Sequence, residues 1–379
     1  MKKHFAHVIV IVLTLTLISC KEKQNGFEVS ANLDGFDENS KVLISDVSSQ
    51  KILDSTVVVN GKFVVNGLLD NAPSTISLMI LSENGKERNY TSIFMGNEKI
   101  SISGNKSSFS NGTKVLGSKY HGLKADFDKQ VNPLYDERDK KLQQMFALRN
   151  DGKWNDSLQS DYWSETGLIT RIDKETSIII EQFIADNINS HFALSLLVTN
   201  KNDFSKEFIQ NQLDRLEPKF METKYVNVLK TYLANEPLEN GASFYDFKAE
   251  NQNGKSVDFA SFFNINKEFT LLEFYSPHCG WCKKALPEIK DLEKAENEKL
   301  QIITYNVDKN KEDWLKTTKS NGITWTTLWN ENGRYSDAYT KYRIAGTPTY
   351  FLFDQQGNVL KKWTGYDEKL IADIRNLIE

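Results

Sequence analysis

The chain has 379 residues, too many for one ordinary domain, and this length predicts two or three. A formal net charge of −4 without a basic block excludes nucleic acid as the expected partner. Hydrophobic residues at 39% are ordinary for globular domains and argue against a disordered or span-rich chain.

Lys2, Lys3 and His4 precede an uncharged apolar run that continues to Ile18. A charged start, an apolar middle and small Ser19 before Cys20 describe a signal peptide over residues 1–19. The run is short for a membrane span, which needs about 20 residues. Leu17-Ile18-Ser19-Cys20 resembles the bacterial lipoprotein box. That resemblance implies a lipid on Cys20, membrane attachment through it, and a periplasm-facing protein. Lys21 directly after the cysteine favours the outer membrane over the inner in the same pattern.

Residues 20–116 read as an all-β, sandwich-like domain. Short β-branched or aromatic runs recur at Phe27 to Val29, Lys41 to Ile44, Thr56 to Val59 and Lys62 to Val65. Ile76 to Leu81, Ser92 to Met95 and Lys99 to Ile102 add three more. Asn60-Gly61 predicts a hairpin, because both central residues of a tight two-residue turn need positive φ. No ligand constellation stands out, so a spacer or partner-docking role is the expectation.

Residues 117–237 read as an α-helical region of four to six helices. Leu123, Phe127, Val131 and Leu134 fall at helical spacing, as do Ile178, Ile179, Phe183 and Ile184. His121 and His191 have no cysteine or histidine at ligand spacing, so no metal is expected there. Trp154, Tyr162 and Trp163 fit a helical core better than a partner groove.

Residues 238–379 carry the chemistry. An apolar strand, Phe269 to Tyr275, leads into Ser276-Pro277-His278-Cys279-Gly280-Trp281-Cys282, and a helix is predicted from Cys279 to about Asn297 with a bend at Pro287. The helix start, with its unpaired N–H groups, favours a thiolate, and Lys283 and Lys284 are expected to act in the same direction. Cys20 lies far away, so Cys279 and Cys282 have no other cysteine to form a structural framework or a four-ligand zinc site. Strands are expected at Phe244 to Ala249, Gln301 to Val307, Tyr350 to Asp354 and Val359 to Trp363, and helices at Glu312 to Ser320, Asp337 to Tyr342 and Asp367 to Ile378.

Glu273 before the Cys-x-x-Cys, Pro287 after it and Gly346-Thr347-Pro348-Thr349 downstream together resemble the thioredoxin superfamily. The order of elements resembles its TlpA/ResA-like branch, although His278 and Gly280-Trp281 depart from that branch's usual motif. The β and helical regions resemble those ahead of thioredoxin modules in some Gram-negative lipoproteins. The resemblance implies an α/β thioredoxin-like fold and a thiol–disulfide oxidoreductase that needs no dissociable cofactor. Cys279 would be the nucleophile and Cys282 the resolving thiol. Glu273, buried with a raised pKa, would take the Cys282 proton. Thr347-Pro348 would be a cis peptide beside the substrate chain. Trp281 is expected as an exposed substrate contact, and His278 either steadies the Cys279 thiolate or is an exposed turn residue.

Expected partners are cysteine-containing exported proteins and an upstream membrane electron donor. Reduction of substrates is the expected direction, with oxidase or isomerase as the alternative. A partner-binding lipoprotein using the thioredoxin-like part only as a scaffold is the rival from another class. A peroxidase is disfavoured, since that family's motif wants Pro where Leu272 stands and Thr where Ser276 stands.

Overall fold

The computed structural model describes residues 26–48, 51–263 and 267–379. The stretch expected to be a signal peptide, and Cys20, lie outside the described residues. Three layers of organisation follow one another along the chain: a β-sandwich, a helical region and a thioredoxin-like α/β domain.

The sandwich contains β1 (Phe27–Asp34), β2 (Lys41–Asp46), β3 (Lys51–Val57), β4 (Lys62–Gly67), β5 (Ser74–Leu81), β6 (Arg88–Met95) and β7 (Lys99–Asn105), then the short α1 (Phe109–Gly112) and β8 (Lys114–Leu116). One sheet has the order β4-β1-β7-β8 and the other β3-β2-β5-β6. Alternate residues point inward from both sheets, so Val29, Val65 and Ile102 meet Ile44, Leu78 and Ile93 in one core.

The Asn60-Gly61 turn forms as expected, with φ of 50° and 70°. The hairpin does not. β3 pairs with β2 and β4 pairs with β1, so the two strands lie in opposite sheets and only Val59 and Lys62 bridge across the turn. The reason is burial: Phe63 and Val65 gain a core face only by pairing along β1. The Gly61 carbonyl accepts from the Leu33 amide at 2.7 Å, and a Cβ at Gly61 would stand 2.6 Å from the Leu33 carbonyl oxygen.

The helical region contains α2 (His121–Asn150), α3 (Asp156–Trp163), α4 (Leu168–Asn187), α5 (His191–Thr199), α6 (Lys206–Asp214) and α7 (Lys224–Ala234). Asn155, Ser190 and Ser205 cap three of them by accepting from backbone N–H groups. Phe127, Phe183, Phe192 and Leu229 fill their core, and Phe94 from β6 enters it with its ring 5.2 Å from that of Phe192. Tyr162 is buried beside Trp154, whereas Trp163 lies at the surface. Ile178 is likewise exposed. His121 is buried and its Nδ1 accepts from the Phe94 amide at 3.4 Å; burial pushes its pKa down to about 4.

The C-terminal domain contains β9 (Lys248–Asn251), β10 (Ser256–Asp258), β11 (Phe269–Tyr275), α8 (Gly280–Glu296), β12 (Leu300–Asn306), α9 (Lys311–Ser320), β13 (Thr326–Trp329), α10 (Asp337–Lys341), β14 (Thr349–Asp354), β15 (Val359–Thr364) and α11 (Leu370–Ile378). Its sheet has the order β10-β9-β13-β12-β11-β14-β15, with β11 parallel to β12 and antiparallel to β14. The strand expected at Phe244 is shorter than predicted and starts at Lys248. Phe244 and Phe247 sit in irregular chain because their rings pack on Phe263 and Phe259, at 4.3 and 4.7 Å. β13 was not expected from sequence; it adds to β12 with Thr327 opposite Thr304.

Candidate active site

The strand β11 is buried from Thr270 to Tyr275 and delivers the chain to the end of the sheet, beyond the C-terminus of that strand, at Ser276. Cys279 then caps α8, and its Sγ accepts from the Cys282 amide at 3.2 Å. Ser276 holds the turn: its carbonyl accepts from the Cys279 amide at 3.1 Å and its hydroxyl from the His278 amide at 3.2 Å. That hydroxyl donates to buried Asp308 Oδ2 at 2.6 Å, tying the turn to the end of β12.

Antiparallel pairing places Thr349 of β14 opposite Phe274. The preceding Thr347–Pro348 peptide, which is cis, therefore lies beside the start of α8. Cys279 Sγ donates to the Thr347 carbonyl at 3.2 Å. The two cysteines are free thiols; Cys279 is half-buried and Cys282 is 1% exposed. Solvent thus reaches one sulfur and not the other. Burial pushes the Cys282 thiol well up, helped by its hydrogen bond with Cys279 and by the nearby Glu273 charge.

Glu273 is buried on β11. Burial raises its pKa to about 7, although the Thr304 hydroxyl donates to its Oε2 at 3.2 Å and favours the charged form. Thr304 Oγ1 in turn accepts from the Trp325 indole at 2.8 Å. The Tyr350 hydroxyl stands beside the same carboxyl and, like Thr304, favours its charged form. A carboxyl balanced between its two forms near neutral pH, next to a thiol that must lose a proton, can act as the base. Thr304, Trp325 and Tyr350 were not singled out from sequence. Only the strand pairing puts them under the cysteines.

Trp281 is 59% exposed. Its ring stacks on Tyr366 at 6.3 Å, and Tyr366 donates to Glu288 at 2.6 Å. Lys284 places its ammonium over these two rings at 5.6 and 4.8 Å. His278 is exposed, and its Nε2 meets Asp313 Oδ2 of α9 at 2.8 Å. Of its two expected roles, the geometry gives it a carboxylate partner rather than the Cys279 sulfur. Pro287 lies inside α8 as expected. Among the described residues, no group of three or more His, Cys, Asp or Glu side chains could hold a metal ion.

Known proteins resemble parts of the chain. Residues 241–362 match the model of the AhpC/TSA family, and residues 27–123 match a domain of unknown function (DUF4369). The thiol-disulfide oxidoreductase YkuV of Bacillus subtilis is 22% identical over 100 residues, which cover 25% of this chain and 66% of that relative. The thioredoxin domain of a thiol-disulfide oxidoreductase from Bacteroides vulgatus is 22% identical, with 38% of this chain and 99% of that one covered at a TM-score of 0.34. A thiol-disulfide oxidoreductase from Bacteroides fragilis is 23% identical, with 36% and 99% covered at a TM-score of 0.33. The C-terminal part of this chain is a thioredoxin-like domain similar to thiol–disulfide oxidoreductases.

Proposed function

We propose that this protein is a periplasm-facing thiol–disulfide oxidoreductase of the TlpA/ResA-like type, reducing disulfides of exported proteins while anchored by a lipid on Cys20. The observation that carries the chemistry is the asymmetry of the pair. Cys279 reaches solvent at a helix start beside Thr347–Pro348, and Cys282 is buried next to Glu273.

In the reaction, the Cys279 thiolate attacks one sulfur of a substrate disulfide. A mixed disulfide forms and one substrate thiolate leaves. Cys282 then gives its proton to the Glu273 carboxylate and attacks Cys279 Sγ, expelling the second substrate thiolate. The substrate gains two electrons, and the enzyme ends with a Cys279–Cys282 disulfide. A membrane dithiol donor must return the two electrons. Trp281 offers the leaving and entering polypeptide an exposed, rigid ring.

The equilibrium reduction potential of the Cys279/Cys282 pair in the full chain tests the direction. A value near roughly −250 mV or lower supports a reductant, as thioredoxin is. A value of about −120 to −180 mV instead makes the protein an oxidase or isomerase. The anchor has its own test: Cys20→Ser should move the protein from the membrane to the soluble fraction, and continued membrane partition would refute lipidation.

A further inference from the structure

A second cavity lies away from the thiols, where the three domains meet. It has a volume of about 230 Å³, and Asn71 of the sandwich, Lys224 of α7, and Lys309, Asn332 and Thr340 of the C-terminal domain line it. Lys224 Nζ is buried there without a hydrogen-bond partner, and so is Thr340 Oγ1. Lys224 lies over the Tyr335 ring at 4.9 Å and Lys309 over the same ring at 5.6 Å. Two ammonium groups therefore flank one aromatic wall.

A buried ammonium carries three donors and no acceptor, and leaving all of them unmet is unfavourable. The nearby acids act mainly on Lys309, whose charged form Asp46, Asp70 and Glu331 favour against its burial. Asp337 at the cavity wall pairs with Lys341 at 3.6 Å, and Asp46 accepts from the Ser48 and Ser74 hydroxyls at 2.9 and 2.7 Å. The space also exceeds the roughly 30 Å³ share of one water several-fold. Burial pushes the Lys224 ammonium down to about 8, with Lys309 adding repulsion that Asp46 only partly offsets, so an anion between the two lysines relieves both effects.

We infer that this junction is a binding site for a compact oxyanion, with phosphate as its type, held by Lys224, Lys309 and the Thr340 hydroxyl. Charge-assisted hydrogen bonds from ammonium groups suit such a ligand, and the hydroxyl supplies a neutral donor on another side. Since its ligands come from two domains and Asn71 from the third, occupancy couples the three. The inference is independent of the redox reading, because neither cysteine takes part.

Calorimetric titration of inorganic phosphate into the full chain, at ionic strength matched with sodium chloride, tests it. Saturable binding at one site per chain is expected. Lys224→Met should weaken it roughly tenfold or more, and Thr340→Val should weaken it several-fold. Lys114→Met, at an exposed strand position, should bind as the native chain does. Absence of saturable binding, or equal affinity in the native chain and both cavity variants, overturns the site. If Lys224→Met fails to fold, Thr340→Val alone decides: unchanged affinity refutes the proposal and weakened affinity supports it. The non-specific effect of phosphate on burial is the same in every variant and does not mimic this pattern.

Discussion

The Thr304 hydroxyl donates to Glu273 Oε2 at 3.2 Å while accepting from the Trp325 indole at 2.8 Å. The indole fills the acceptor side of the hydroxyl, so its proton is directed to the carboxyl. That bond favours the Glu273 carboxylate over the carboxylic acid. Thr304→Val removes it. If mixed-disulfide release uses the carboxylate, its rate should rise with pH through about 7 in the native protein. In the variant this rise should move up by roughly one unit, read from single-turnover rates across pH. An unmoved profile would separate Glu273 from the titration.

Glu273→Gln keeps the shape of the side chain and removes the base. Release of the second substrate thiol should slow by about 10² or more, with attack by Cys279 largely unchanged. Rapid-quench trapping of the mixed disulfide measures the two steps apart. Equal slowing of both steps counts against the proton-relay role.

The same carboxyl links stability to pH. Its pKa is raised from an ordinary 4.5 to about 7 by burial. The folded state therefore holds its proton more tightly than the unfolded chain does. This contribution is fully present below the unfolded pKa and is lost as pH rises through about 7, on the order of 3 kcal/mol in all. Urea unfolding of the reduced protein at about pH 5 and about pH 8 should show the native chain losing stability relative to Glu273→Gln at the higher pH. A difference that stays constant between the two conditions refutes the buried titration.

Trp281 touches Tyr366 and Lys284 but leaves most of its surface to solvent. Trp281→Ala should raise KM for a protein disulfide several-fold and leave kcat with a small dithiol-reactive probe nearly unchanged. Its unfolding midpoint should stay close to native, because little buried area is lost. A fall in kcat for the small probe would mean that the indole acts on the thiols themselves.

Much of this site was legible in the chain. The run from Leu271 to Cys282 announces a buried strand, a turn and a helix start by apolar continuity followed by Ser, Pro and Gly. Thr349 and Phe274, 75 residues apart, could be joined before the fold was known only through the family pattern around Pro348. Thr304 and Tyr350 gave no local signal, since each becomes a neighbour of Glu273 through sheet order, and Trp325 reaches Thr304 from the residue before β13. The Asn60-Gly61 turn marks the opposite case. Its local chemistry fixes the two central residues but does not decide which sheet receives each arm, and burial of Phe63 and Val65 decides that. The two aromatic rings under the Lys284 ammonium could not be read from charge along the helix, since Tyr366 comes to it from another part of the chain.

Arg343 stands just ahead of the Thr347–Pro348 peptide with φ of 48°. Its guanidinium donates to the Tyr232 hydroxyl at 2.9 Å and the Asn235 carbonyl at 2.7 Å, and lies 4.0 Å over the Tyr232 ring. The thioredoxin-like part is thus not a cartridge that can be cut out at residue 238 and studied alone. Excision there would strip the guanidinium of its anchors four residues from the loop that faces Cys279. Assays of the shortened piece would then measure a loosened entrance rather than the native one.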